Sequence, residues 1–97
     1  MRLVVEGDLF EWRGPAPYHF VAVGPEGCDD LRAVSPVVSY GWGMIPVRGT
    51  VGATAFTTSL WPHDGGYVVP IRDAVRLAEG LALGARVTVQ LEIDTEG

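Results

Sequence analysis

Apolar residues occur in short runs cut by glycine and proline, and most of the runs alternate with polar residues. The clearest run lies near the C-terminus, where Val87, Val89, Leu91 and Ile93 alternate with Thr88, Gln90, Glu92 and Asp94. This predicts a strand from Arg86 to Asp94 with one face in the core and one in water. "LVVEGDLFEW" reads as a strand that changes face. Leu3, Val5, Gly7, Leu9 and Glu11 fall on one side and Val4, Glu6, Asp8, Phe10 and Trp12 on the other, with the aromatics gathered near the end of the second side. Such a change predicts a bend, with Gly7 as its bulge. "RGPAP" is then a turn, and Tyr18 to Val23 is the returning strand. Further strands are predicted from Ile45 to Val51, from Ala53 to Leu60 and over "YVVP". Pro46 puts the start of the first of these at an edge or bulge. Gly52 sits at one turn, and "WPHDGG" marks a hairpin loop.

Two stretches have a helical period instead. In "IRDAVRLAEG", Ile71, Ala74, Val75 and Ala78 share a face, Arg72 and Arg76 share another, and Gly80 is a natural stop. "GPEGCDDLRAVSP" is expected to be a loop with a short helix, capped by Asp29 or Asp30 and ended by Pro36. Together these elements predict a mainly β fold, a small barrel with one or two short helices, one of them before the last strand. A chain of 97 residues is expected to form a single domain spanning 1–97. It has room for one hydrophobic core and little more.

Charge narrows the function classes. The net charge is −5, and all seven basic residues are arginines. An acidic chain with no basic run is poorly suited to binding nucleic acid through phosphates. Cys28 is the single cysteine, so no intramolecular disulfide is possible, as suits a reducing cytoplasm. The N-terminal apolar run is too short for a signal peptide. No stretch approaches the ~18 apolar residues of a membrane-spanning helix. The expectation is a cytoplasmic protein with no membrane association.

Ser59, His63 and Asp64 resemble parts of a hydrolase. A nucleophilic serine needs a base within reach and an oxyanion hole, and the surroundings read T-T-S-L-W rather than G-x-S-x-G. Turn chemistry accounts for the three residues, and no catalytic residue is assigned. His19, His63 and Cys28 show no metal-ligand spacing, so neither metal nor cofactor is expected. The aromatics Trp12, Tyr18, Tyr40, Trp42, Trp61 and Tyr67 sit mostly beside turns or glycine. Glycines flank Trp42, which either plugs one barrel end or stacks on a ligand. Arg48, Arg72 and Arg76 can each fork onto an anion or pair internally, with Asp73, Glu79 or Glu92 as partners. The candidate ligand-binding set is Tyr40, Trp42, Ser59 and Arg76, for a small anionic ligand or a protein partner.

"EGDLFEWRGPAPYHFVAV", "YGWGMIPV" and "FTTSLWPHDGGYVVPIRDAVRLAEGLALGARVTV" together resemble a bacterial domain-of-unknown-function family. Its members occur alone or fused ahead of YdeI/OmpD-associated, bacteriocin-protection-like segments. The most specific matches are Thr58-Ser59-Leu60, Pro62, Tyr67, Pro70 and the Val75-Arg76 pair. The resemblance implies a small β-barrel with a helix before the last strand, similar to the double-split barrels of AbrB/MazE-type regulators. Those regulators commonly carry Gly-Asp where this chain has Gly84-Ala85. The family brings no agreed activity. The function is therefore unknown, with a non-enzymatic binding module as the leading expectation. The alternatives are a DNA-binding regulator, by analogy with those barrels, and a serine hydrolase.

Overall fold

A computed structural model describes residues 1–12 and 18–95. The turn expected over "RGPAP" lies outside the described residues. The elements are β1 (Arg2–Asp8), β2 (Phe10–Trp12), β3 (Tyr18–Ala22), α1 (Pro25–Val38), β4 (Ile45–Val51), β5 (Thr54–His63), β6 (Gly66–Pro70), α2 (Asp73–Ala78) and β7 (Arg86–Glu92). The fold is mainly β. Seven antiparallel strands in the order β1-β7-β4-β5-β6-β3-β2 make a half-barrel, joined by the two helices.

Two bent strands give the half-barrel its shape. β5 pairs with β4 from Thr54 to Leu60, then with β6 from Trp61 to His63. In the same way, β1 pairs with β7, and after Leu9 the chain continues as β2 against β3. At both corners an almost fully buried leucine, Leu9 or Leu60, fills the inside of the bend. The bend in the first strand falls at Leu9, not at Gly7. Gly7 serves a different purpose: a Cβ there would sit 3.1 Å from Val21 Cγ1 and 3.3 Å from the Ala22 carbonyl oxygen. Its missing side chain lets β1 pass close to β3.

The inner face follows the expected alternation. Val87, Val89 and Leu91 of β7 meet Val5, Ile45, Val47, Leu60, Val21 and Val69 in one core, and no polar or charged residue among those described is buried. β4 meets β7 only over Arg48 to Thr50. Pro46 therefore lies beyond that ladder, on a side where its missing N–H costs no hydrogen bond. Gly49 is also inner, and the ring of Phe56 lies over it, so that a Cβ would be 2.6 Å from Phe56 Cζ.

The helices differ from expectation. α1 starts at Pro25, not near Asp29 or Asp30, because proline fits a first helical position where no N–H is needed. It runs through Pro36 to Val38. Pro36 is in the last turn, where only one intrahelical bond is lost. Cys28 and Leu31 bury its inner stripe. α2 starts at Asp73, two residues later than the helical pattern suggests, and a positive φ at Gly80 follows its end. The hairpin loop is also shorter than expected. β5 continues through Trp61 and Pro62 to His63, and only Asp64 and Gly65 turn, with φ of 48° and 77°. Two successive positive φ angles define the hairpin turn that matches the strand twist. Arg32 of α1 donates to the Gly65 carbonyl and so ties the helix to this turn.

Candidate functional site

Alternate residues of each strand face outward, and the outer surface divides into two halves of opposite character. Over β1, β7 and β4 it is charged. Arg48 pairs with Glu92 at 2.6 Å directly across the ladder, and Arg86 reaches Glu6 at 3.0 Å and Asp8 at 3.5 Å. The hydrogen bond from Arg48 holds the Glu92 carboxyl below its ordinary range, and the bond to Glu6 raises Arg86 further. A shallow concavity of about 780 Å³ crosses this half, but its Arg48 is already occupied by Glu92.

Over β6, β3 and β2, and at Trp61 of β5, the outer face carries an aromatic and apolar cluster, beside the polar Thr57, Ser59 and His63 of β5. The register aligns Trp61 with Val68, Phe20 with both Pro70 and Phe10, and Tyr18 with Trp12. Trp61 packs on Tyr18 edge-on at 5.2 Å and on Phe20 at 5.1 Å, and Phe20 lies 5.8 Å from Phe10. Contacts of this geometry add about 0.5–1.5 kcal/mol each beyond area burial. The cluster is not sealed, for Trp12 is 56% and Tyr18 45% exposed.

Two clefts flank Trp61. The first, of about 440 Å³, lies where β6 ends. Its walls include Tyr18, Trp61, Tyr40 and Ser59, its floor includes the buried Pro70, and Arg72 closes one end. The second is about 260 Å³, lined by Phe10, Glu11, Trp12, Phe20, Trp61, Pro62, His63 and Val68. The chain from Tyr40 to Met44 forms a turn closed by backbone hydrogen bonds between those two residues at 2.9 Å. Both feet of the turn line the first cleft.

The four residues singled out in the sequence do not all meet. Tyr40 and Ser59 do: their hydroxyls are 2.7 Å apart. Trp42 stands at the tip of the turn, 96% exposed, so it plugs nothing. Positive φ at Gly41 and Gly43 allows that tip. Arg76 lies outside both clefts and donates to Asp73 at 3.1 Å, one of the internal partners considered above. Its Nε is buried without a partner among the described residues.

Arg72 takes the place that the sequence pattern suggested for Arg76. The helical spacing put Arg72 and Arg76 on one helix face, but Arg72 precedes the helix with extended backbone, φ −70° and ψ 156°. The Ile71 amide donates to the His19 carbonyl at 2.8 Å, which continues the β3–β6 register. Arg72 thus follows Val68 and Pro70 outward, beside Tyr18. Its guanidinium has no hydrogen-bond or ion-pair partner among the described residues. A signal for this was present: Asp73 is an acid suited to a first helical turn, with Pro70 shortly before it.

The hydrolase residues are apart. Ser59 and His63 are four strand positions from each other, about 13 Å. The Ser59 hydroxyl meets Tyr40, and His63 Nε2 lies 3.2 Å from Asp64. Among the described residues no three His, Cys, Asp or Glu gather where a metal ion would fit. No helix among them is long and apolar enough to cross a membrane.

The family model described as "Domain of unknown function (DUF1905)" matches residues 6–91. The chain belongs to this family. The DUF1905 match includes every residue named in the two clefts. No curated protein matches the chain.

Proposed function

We propose that this DUF1905 protein is a non-enzymatic binding module that takes a small anionic ligand in the cleft at the end of β6. The observation that carries this reading is the Arg72 guanidinium, unpaired among the described residues and set in one cleft with the Tyr40–Ser59 hydroxyl pair and the Trp61–Tyr18 wall. A free guanidinium forks onto a carboxylate or phosphate oxygen pair. Adjacent hydroxyls donate to the same anion, and an aromatic wall lowers the local dielectric that would otherwise weaken both. The net charge of −5 supports a small anion over a polyanion. Trp42 and Arg76 remain outside this set: one is in solvent and the other is held by Asp73.

The test is a thermal-shift and calorimetric series with small carboxylates and phosphate monoesters. Ligand at a hundred times its Kd adds about 2.7 kcal/mol of stability, which raises Tm by roughly 10 °C or more for a chain of this size. Arg72→Gln should abolish the shift, and Tyr40→Phe and Ser59→Ala should weaken it. A shift that persists in Arg72→Gln would sink this reading. We further place the protein in the bacterial cytoplasm, in keeping with its lone, buried, free Cys28.

The likeness to AbrB/MazE-type barrels supports a second reading, a DNA-binding regulator, through fold analogy alone. The charged outer half is the surface it would use, yet Arg48 and Arg86 are there matched by Glu92, Glu6 and Asp8. Salt-dependent retardation of duplex DNA would favour it over ligand binding. Labelling of Ser59 by a serine-directed probe would favour the hydrolase. Fusion to YdeI/OmpD-associated segments in relatives would make the module a sensor for its neighbour.

A further inference from the structure

We infer that the ligand is an aromatic carboxylate: its anion meets Arg72 and its flat ring system lies across the Trp61 wall into the aromatic cleft. The inference rests on the ligand-binding reading above and names the chemistry of the other end of the ligand. Three observations carry it. First, the aromatic side chains occupy outward positions of the sheet. The same face over β1 and β7 holds Arg2, Glu6, Asp8, Arg86, Thr88, Gln90 and Glu92, with Val4 among them. A solvated sheet face is ordinarily polar; here the cluster itself covers Phe20 and Val68, while the rings of Trp12 and Tyr18 stay 56% and 45% exposed and are offered to a ligand. Second, the two clefts share Trp61 as a common wall, one with a cation that has no partner among the described residues and the other lined mainly by aromatic and apolar side chains, with Glu11 and His63 beside them. Third, the spacing fits. The β3–β6 register places Arg72 beside Tyr18, and Tyr18 pairs with Trp12. Two strand spacings, about 10 Å, thus separate the row positions of Arg72 and Trp12. A two-ring acid covers that distance; acetate or inorganic phosphate does not.

Ring stacking gives Phe10, Trp12, Phe20 and Trp61 a role in the cleft that its aliphatic members, Pro62 and Val68, cannot fill. Flat faces and edges accept a planar ring in offset or edge-on packing without changing rotamers. No acid lines the cleft that holds Arg72, whereas Glu11 lines the aromatic one and would repel an anion placed there. The carboxylate end is therefore oriented toward Arg72, and the ring toward Trp12.

Calorimetry with four probes tests this: naphthalene-2-carboxylate, its neutral amide, benzoate and acetate. The naphthoate is expected to bind roughly ten-fold or more tightly than acetate, with benzoate between. It should also exceed the amide by roughly ten-fold. Trp12→Ala removes a half-exposed ring and should weaken naphthoate by roughly five-fold while leaving acetate unchanged. Phe10→Leu is a second, milder variant that should act in the same direction. Arg72→Gln should bring naphthoate down to the affinity of the amide. If naphthoate binds no better than acetate, or if neither Trp12→Ala nor Phe10→Leu weakens it, the aromatic assignment is overturned. Acetate binding that depends on Arg72 would in that case leave the anion-binding reading standing. Absence of binding by all four probes overturns the aromatic-carboxylate assignment, and the anion-binding reading falls with it if phosphate monoesters also fail to bind.

Discussion

At the scale of single residues, two side chains show how closely neighbouring positions are matched. The Phe56 ring occupies the space that a side chain at Gly49 would need. Gly49→Ala should destabilise the protein by about 1–3 kcal/mol, as overpacking does, measured by urea denaturation. The effect should be non-additive: in a Phe56→Leu background the same substitution should cost less, with a coupling of at least about 0.5 kcal/mol. Equal costs in both backgrounds would show that the ring is not what fills the space. Glu92 and Arg48 make a different kind of pair, on the surface. Arg48 holds the folded-state pKa of Glu92 below its ordinary 4.5. A carboxyl depressed in this way stabilises the fold above its unfolded pKa, and that contribution is lost as pH falls through the folded value. Arg48→Gln should therefore lower stability at neutral pH, and the gap from wild type should close as the pH drops below 4.5. Added salt should narrow it as well, because both groups are exposed. A gap that stays constant from neutral to acid pH would show that Arg48 acts through packing instead.

At the scale of elements, much was legible from the alternation of residues. β7 and β4 follow directly from their period of two, and β4 begins and ends where the pattern does. What was not legible depends on proline and on short range. Pro25 and Pro36 read as loop residues, yet one begins α1 and the other sits in its last turn. "IRDAVR" contains too few residues for its period to reveal which of them are helical. Arg72 was thus taken as a helix residue, and the cation of the cleft was sought at Arg76. Tyr40 and Ser59 were legible as polar residues beside aromatics, but their 2.7 Å contact joins residues 19 apart in sequence, and no local pattern carries that. The Asp64-Gly65 turn tests the hairpin itself. Asp64→Val places a β-branched residue at φ 48° and should cost about 1–3 kcal/mol. Asp64→Asn should remain within about 0.5 kcal/mol of wild type, because asparagine tolerates that region. Hydrogen exchange at the amides of β6 would report the difference. If valine proves as stable as asparagine, the turn does not hold the positive-φ geometry.

At the scale of the whole molecule, the half-barrel is held at its two corners. Leu9 and Leu60 are buried where one strand leaves one sheet partner for another. Leu9→Ala and Leu60→Ala should each cost about 2–5 kcal/mol, in the range of large-to-small core changes, with a midpoint shift in chemical denaturation as the measure. A cost below about 1 kcal/mol at either corner would mean that the bend is held by the backbone ladder and not by the leucine. The bent strand β5 has one more consequence. Phe56 and Leu60 pack with the core, whereas Thr57, Ser59, Trp61 and His63 between and beyond them line the two clefts. Core and cleft are thus written on interleaved letters of one segment, with the thickness of a backbone between them. Descendants of this sequence can exchange one set while retaining the other, so an ancestral scaffold can acquire new chemical preferences without first becoming unstable.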